Sequence, residues 1–346
     1  MLTQPSYRSL RNPTVAIVGA TGAVGAELIR CLEERDFPAA GVRLLASARS
    51  AGRTLSYRGQ ALTVQAVGPE SFAGVQLALF AADSETSRTY APVAQAAGAV
   101  VVDNSSAFRM DLDCPLVVPE VNLETLAGHR GVIANPNCTA IILCMAVAPL
   151  QRRFGLRRLQ VATYQAASGA GQPAMDELVA STRAYLEGRP FQPQVLPHPY
   201  AFNVFSHNDT VDLDSGYNGE ELKVIAETRR ILSTGNLPIG VTCVRVPVLR
   251  AHTLAVTAEL DAPVPPGAVR ECLEEALGVR VVDDRAANHF PMPVEAQGQG
   301  DVLVGRIRRD LGDPSGRSVA LLLAGDQLLK GAALNAVQIA EQLLVA

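Results

Sequence analysis

A chain of 346 residues, 48% of them hydrophobic, is long enough for two domains and can bury a sizeable core, which excludes disorder beyond the first dozen residues. The net charge of -4, without any run of Lys or Arg, argues against nucleic-acid and anionic-membrane partners. Apolar stretches are broken by Pro, Gly or charge too early for a membrane span, and residues 1–12 lack the apolar centre of a signal peptide, so a cytoplasmic location is expected.

Residues 14–18 (Thr-Val-Ala-Ile-Val) read as a short buried strand, followed at once by Gly19-Ala-Thr-Gly-Ala-Val-Gly25 and a helix over 23–35 with Val24, Leu28, Cys31 and Leu32 on one side. Strand, glycine-rich turn and helix N-terminus are the parts of a pyrophosphate cradle, in which Gly19, Thr21, Gly22, Ala23, Val24 and Gly25 approach the phosphates. The spacing is GxxGxxG rather than GxGxxG, so a tight turn with no ligand stays open as the alternative.

The next strand, 42–46, ends where an NAD site usually carries an acidic residue for the ribose 2′-hydroxyl. Here the chain offers Ser47, Arg49 and Ser50, which suit a 2′-phosphate and favour NADP. A surface arginine in a loop is the plainer alternative. A strand at 77–81, a helix at 84–97 and a strand at 99–102 continue the alternation. Apolar strands alternating with helices predict a Rossmann-like α/β domain whose parallel sheet gathers binding residues at its carboxyl edge. Gly19, Ser47, Ala82, Asp103 and Cys138 all fall there.

In Ile133-Ala-Asn-Pro-Asn-Cys-Thr-Ala140 a strand hands over to a helix. Pro136 biases Asn135 toward an extended conformation, Asn137 is a good N-cap type, and 139–150 is apolar on nearly every face. A thiol in the first helical turn sits at the positive end of the dipole, where a thiolate and a developing oxyanion are both favoured. Cys138 is therefore a candidate nucleophile, with a structural loop cysteine as the alternative. The other five cysteines and the five histidines are scattered, so neither a metal site nor a disulfide framework is expected.

From about residue 157 the pattern changes. Strands are predicted at 159–165, 241–246, 253–260 and 318–323, several with the alternation of an antiparallel sheet covered on one face. Helices are predicted at 172–187, 219–232 and 267–277, a long irregular excursion at 189–218, and a final helix at 330–344 with Leu334, Val337, Ala340 and Leu344 on one stripe. Polar residues here fit no core: Gln165 before a small-residue turn, Glu220, Glu221 and Lys223 opening a helix, Arg245 inside an apolar strand, and His252 after it. An interior strand arginine must be paired, which a substrate carboxylate could do, and a histidine near a thiol could serve as acid and base. Taken one at a time, each is more simply a satisfied polar residue. The residues alone indicate a nicotinamide-dependent enzyme with a candidate nucleophilic cysteine.

Together these segments resemble the bacterial aspartate-semialdehyde dehydrogenases over nearly the whole chain. The resemblance rests on Gly19–Gly25, Ser105-Ser-Ala-Phe-Arg-Met110, Val117-Val-Pro-Glu-Val-Asn122, Asn135-Pro-Asn-Cys-Thr139, Tyr164-Gln-Ala-Ala-Ser-Gly-Ala-Gly171, Glu220-Glu-Leu-Lys223, Arg245-Val-Pro-Val248 with His252, and Lys330-Gly-Ala-Ala-Leu-Asn335. Any one is weak; eight in order are specific.

The resemblance implies NADPH-dependent reduction of L-aspartyl-4-phosphate to L-aspartate 4-semialdehyde through a cysteine thioester, a step that feeds lysine, threonine, methionine and diaminopimelate synthesis. It implies Cys138 as nucleophile, His252 as acid–base catalyst, Gln165 orienting the acyl group and Asn137 stabilising the oxyanion. Arg245 is implied for the substrate carboxylate, Glu220 for its ammonium, Arg109 and Lys223 for the phosphate, and Ser168, Gly169 and Asn335 along the cofactor. It further implies a homodimer, an NADP-binding domain over 1–137 completed by 326–346, and an α+β catalytic and dimerisation domain over 138–325 with a mostly antiparallel sheet. Two departures stand out: Ala81-Ala-Asp-Ser-Glu85, which puts cofactor contacts there in doubt, and Asp326-Gln-Leu-Leu-Lys330 where Asp-Asn-Leu-Arg-Lys is common. Neither is expected to touch the chemistry. The rival readings are an N-acetyl-gamma-glutamyl-phosphate reductase, for whose acetamide Glu220 would be superfluous, a more remote malonyl-CoA reductase, and a non-catalytic NADP-binding paralogue.

Overall fold

A computed structural model describes residues 9–345. The expectation of no signal peptide in 1–12 thus falls mostly outside the described residues. Residues up to Asn137 together with those from Ala332 form one compact unit, and Cys138–Gly331 forms another.

The first unit holds a six-stranded sheet in the order Gln65–Ala66, Gly41–Ala46, Thr14–Val18, Leu77–Phe80, Val100–Asp103, Val132–Ala134, with every neighbouring pair parallel. Val15, Ala16, Ile17 and Val18 are buried, as expected of a central strand covered on both faces. After Thr14–Val18 the chain builds outward on one side, then returns to build on the other from Leu77–Phe80. This reversal of strand order is the switch point at which such sheets bind ligands, and Gly19 follows the strand there. The helices Ala23–Glu34 and Leu334–Gln342 pack in this unit, joined by Arg35 Nε on Glu341 Oε1 at 2.6 Å. A hairpin, Thr54–Tyr57 with Gln60–Thr63, has no counterpart in the sequence reading. Its Arg58-Gly59 turn takes φ of 49° and 75°, the two positive angles of a tight hairpin turn, without the usual Asn-Gly signature.

The second unit is built on a seven-stranded mixed sheet: Phe205–Ser206, Ile239–Arg245, Leu156–Gln165, His252–Leu260, Ser318–Gly325, Val302–Arg309, Val279–Val281. Two of its pairings are parallel and the others antiparallel. Strictly alternating burial along His252–Leu260 shows one face covered and the other partly open. The helix Cys138–Phe154 lies on the covered face with Gly219–Ile231 and Pro266–Glu274 beside it, which is why its residues from Thr139 to Leu150 are all buried. A Cβ at Gly325 would come 2.9 Å from Ile142, so helix and strand approach as closely as glycine permits. The strands Val279–Val281 and Val302–Arg309 escaped the sequence reading. Most of 189–218 is irregular, and the buried Glu177 anchors it by accepting the N–H groups of Val195 (2.7 Å) and Leu196 (3.0 Å).

The final helix differs from expectation at its start. Residues Leu329–Ala333 form a π turn, and regular α-helix runs only from Leu334 to Gln342. Such turns accompany functional sites because they re-aim the residues they carry. Among the described residues no helix is long and apolar enough to cross a membrane.

Candidate active site

Cys138 is the first residue of its helix and is partly exposed, so its sulfur sits at the positive end of the helix dipole. Gly331 passes close by; a Cβ there would lie 2.9 Å from that of Cys138. The sulfur stands 3.6 Å from Nε2 of His252, which is fully buried.

Strand register gathers the remaining groups. Gln165 and Arg245 are partners across the parallel pair and end their strands together, while His252 begins the antiparallel neighbour of Leu156–Gln165. Three polar residues far apart in sequence therefore share one sheet edge. Gln165 Nε2 donates to Glu220 Oε1 (3.0 Å) and to Thr139 Oγ1 (3.1 Å), and Thr139 Oγ1 lies 3.4 Å from the same carboxylate. Glu220 and Glu221 open the helix Gly219–Ile231 with separate tasks. Glu221 forms a reciprocal cap with Asn218 and accepts the Cys243 N–H, whereas Glu220 turns to Gln165.

Arg245 is buried, with Nε on Asn208 Oδ1 (3.1 Å) and Nη1 on the Ala166 carbonyl (3.3 Å). Lys223 reaches Asp209 at 2.6 Å. The segment 207–209, inside the irregular excursion, thus holds two of the three expected substrate cations, Arg245 and Lys223. Sequence reasoning missed Asn208 and Asp209, whose only signal was the length of the excursion, and Thr139, whose signal was its place directly after Cys138. Burial and the Arg245 charge push His207 down to about 4. The same two causes, burial first, hold His252 well below the ordinary histidine value.

The ring of His252 is fixed from its far side, where the Ala166 N–H donates to Nδ1 at 3.0 Å. A backbone N–H can only donate, so Nδ1 keeps its lone pair and the neutral imidazole carries its hydrogen on Nε2, facing the sulfur. Ser168 and Gly169 lie in the same turn: Ser168 is buried, and a Cβ on Gly169 would come 3.0 Å from both the imidazole and the Arg245 guanidinium. Gln327 donates to the Ser168 hydroxyl and accepts the Ala251 N–H at 3.0 Å. The Asp326–Lys330 departure therefore touches Ala251, the residue directly before the histidine.

The first unit carries the other candidates. Gly19 (φ 84°) leaves no room for a side chain, since a Cβ would meet the Ala81 carbonyl oxygen at 2.3 Å. Gly25 is equally confined, by Gly19 and Ala20, whereas Gly22 is exposed at the helix mouth with only the Gly19 oxygen at 3.4 Å. Thr21, Ala23 and Val24 surround that mouth, and the helix has no acidic residue in its first turn. The open space at Gly22 and the helix start fit a pyrophosphate. Ser47 and Arg49 are exposed beyond the strand Gly41–Ala46, whereas Ser50 is buried. In the atypical 81–85 segment, Asp83 caps the helix Ser84–Ala96 by accepting Thr86 N–H at 2.8 Å.

Arg109 is buried, donating to the carbonyls of Asn135 (3.0 Å) and Asn104 (2.7 Å). Asn335 is fully buried, and its Nδ2 serves Val117 O and Asn135 Oδ1. Both amide hydrogens are thereby engaged within the protein. Asn137 is buried directly before the cysteine. Among the described residues no group of three metal-ligating side chains converges.

Known proteins match this arrangement. Residues 14–129 fit the family model described as semialdehyde dehydrogenase, NAD binding domain, and 147–330 fit the semialdehyde dehydrogenase dimerisation domain. Aspartate-semialdehyde dehydrogenase of Synechocystis sp. is 51% identical, with 95% of this chain and 97% of that protein covered. The Bacillus subtilis enzyme is 45% identical, over 95% and 96%. Crystal structures of aspartate semialdehyde dehydrogenase II from Vibrio cholerae, one of them complexed with ASA, superpose with a TM-score of 0.92 at 42% identity, covering 96% of this chain and 98% of theirs. The chain belongs to the aspartate-semialdehyde dehydrogenase family.

Proposed function

We propose that the protein reduces L-aspartyl-4-phosphate to L-aspartate 4-semialdehyde, releasing phosphate, by way of a thioester on Cys138. The observation that carries this reading is the cysteine at a helix start, 3.6 Å from a buried histidine whose hydrogen faces the sulfur. Membership of the family supports it, as does the ASA complex of the Vibrio cholerae enzyme.

The thiolate of Cys138 attacks the acyl carbon. A C–S bond forms, the C–O bond to phosphorus breaks, and phosphate leaves, taking a proton from solvent. The chemistry NADPH supplies when bound is a hydride to the thioester carbon. The resulting oxyanion then re-forms its carbonyl and expels the thiolate, a collapse that requires no proton. Asn137 and the helix N-terminus stabilise the negative oxygen in both halves. The thiol proton passes to solvent as the helix start favours the thiolate. His252, implied by the resemblance as acid–base catalyst, instead offers its Nε2–H to the sulfur because Nδ1 already accepts the Ala166 N–H.

Arg245 binds the substrate carboxylate and Glu220 the ammonium, with Gln165 orienting the acyl group between them. The hydrogen bond from Gln165 to Glu220 supports these two sharing one substrate. Lys223 binds the phosphate by exchanging Asp209 for it, and Arg109 is assigned to the same dianion on the Ser105–Met110 resemblance. Ser47 and Arg49, with no acidic residue beside them, favour NADP over NAD, and the glycine turn holds its pyrophosphate. Ser168, Gly169 and Asn335 are assigned to the cofactor on resemblance alone.

A homodimer formed through the dimerisation domain and a cytoplasmic location complete the reading. Glu220 favours a free amino acid over the acetylated substrate of an acetylglutamyl-phosphate reductase. The test is phosphate-dependent NADP reduction with each aldehyde. Activity on L-aspartate 4-semialdehyde is expected, and activity confined to the acetylated aldehyde would overturn the assignment.

A further inference from the structure

We infer that Asp103 is a positioning residue that aims the Arg109 guanidinium at the phosphate. The inference rests on the reading of Arg109 as a phosphate ligand in the proposed reaction.

Asp103 ends the strand Val100–Asp103 and is fully buried, yet no step of the reaction uses its carboxylate. Its Oδ1 accepts Ser87 Oγ (2.7 Å), from the helix Ser84–Ala96, and the Ser105 N–H (3.1 Å). Its Oδ2 accepts the Ser105 hydroxyl at 2.6 Å. Having donated its hydrogen there, Ser105 Oγ can accept the Ala107 N–H, at 3.1 Å. The carboxylate thus sets the turn that carries the chain to Arg109. Burial raises the Asp103 pKa, while the bonds from Ser105 and Ser87 and the Arg109 charge oppose that shift.

Arg109 docks on two carbonyls, and each is tied to the same aspartate. Its Nε donates to Asn135 O and its Nη2 to Asn104 O. Asn104 follows Asp103 directly, and the Asn135 N–H donates to the Asp103 carbonyl oxygen at 2.8 Å. Asn135 Nδ2 also reaches Asn104 Oδ1 at 3.0 Å, which links the two docking residues. A guanidinium is planar with its donors in a fixed fork, so holding two of them sets the direction of the rest. Asp103 therefore places both the turn that leads to the guanidinium and the carbonyls that orient it.

An amide would not serve in its place. Asn at 103 has the same shape but only one acceptor oxygen. With that oxygen kept by Ser87 and the Ser105 N–H, the NH2 group would face Ser105 Oγ, whose own hydrogen would lose its buried acceptor. The turn could then shift, and the guanidinium with it.

The test compares the unaltered protein with Asp103→Asn by steady-state phosphate-dependent NADP reduction and by 31P NMR titration with inorganic phosphate. The variant should show KM and Kd for phosphate raised about tenfold or more. KM for L-aspartate 4-semialdehyde and for NADP should stay within about twofold, and the circular dichroism should stay native. In an Arg109→Ala background, where the guanidinium is gone, Asp103→Asn should add less than about twofold to the phosphate Kd. If Asp103→Asn does not fold, Ser105→Ala, which removes the hydroxyl between Asp103 and the Ala107 N–H, should give the same selective loss, and Ser105→Thr should restore affinity. Unchanged phosphate affinity in the folded variant would overturn the inference. So would an equal loss for all three ligands, or a full effect that persists without Arg109. The titration needs no turnover. A protein that binds phosphate with this dependence on Asp103 but never acylates Cys138 would sink the functional reading and leave the inference standing. Normal turnover and phosphate affinity in Asp103→Asn would sink the inference alone.

Discussion

The sulfur of Cys138 and Nε2 of His252 lie 3.6 Å apart, and the opposite ring nitrogen already accepts a backbone hydrogen bond. This differs from a thiolate–imidazolium pair, in which Nδ1 needs a hydrogen and an acceptor to receive it. Here the histidine faces the sulfur as a neutral donor, and the negative charge is favoured by the helix start. On the proposed mechanism the consequence would reach both halves of the reaction, since the same donor would greet the thiolate before acylation and after collapse.

The glycine turn makes a paired prediction. Gly19→Ala puts a Cβ 2.3 Å from the Ala81 carbonyl oxygen at a positive φ, and should cost about 1–3 kcal/mol in chemical unfolding. Gly22→Ala meets nothing nearer than 3.4 Å, so its stability should be nearly unchanged while NADP affinity, read by fluorescence titration, falls. Equal loss of stability in both would contradict this use of the turn.

Arg49→Glu should reverse cofactor preference. Losing the guanidinium and placing a carboxylate beside Ser47 should raise KM for NADPH by roughly tenfold or more and spare NADH. The ratio of kcat/KM for the two cofactors reads the effect. An unchanged ratio would return Arg49 to an ordinary surface arginine.

Glu220→Gln retains an acceptor for Gln165 and Thr139 but removes the charge that faces an ammonium. With charge-assisted hydrogen bonds worth roughly 1.5–3 kcal/mol, KM for L-aspartate 4-semialdehyde should rise about tenfold or more. The comparison is steady-state KM in the two proteins, and equal values would remove Glu220 from the substrate site.

His207 links stability to pH. Its native value is about 4 against an ordinary 6.5, because of burial and Arg245. As pH falls below 6.5 the unfolded chain takes up this proton and the native protein does not until about 4, so stability declines through that window. Each such histidine contributes a slope of roughly 1.4 kcal/mol per pH unit, and the buried His252 acts in the same direction. His207→Gln should flatten the decline in urea-unfolding free energy between neutral pH and about pH 5 by close to one proton's worth. An identical slope would show that His207 protonates equally in both states.

Much of this architecture was legible because it rests on local rules. Apolar runs such as 14–18 and 99–102 admit only a buried strand, Gly19 is demanded by a positive φ, and Asn137-Cys138-Thr139 announces a helix start. The hairpin turned by Arg58-Gly59 and the strand Val302–Arg309 were hidden because neither carries its usual signature. The bulge in that strand, with Arg306 at φ of 53°, breaks the alternation. In the candidate site, Gln165, Arg245 and His252 could be named individually, yet their meeting depends on strand register, which no local pattern states. The Ala166 N–H was invisible for a similar reason. Its role comes from a bond across 86 positions of sequence.

The acylation of Cys138 is tested most directly by mass spectrometry of protein quenched with L-aspartate 4-semialdehyde and NADP in phosphate-free buffer. Without phosphate to release it, the thioester should accumulate. The account predicts an aspartyl adduct on the peptide containing Cys138, formed with a burst of NADPH and absent from Cys138→Ser. A burst of NADPH with no adduct, or with the adduct on another residue, would contradict it.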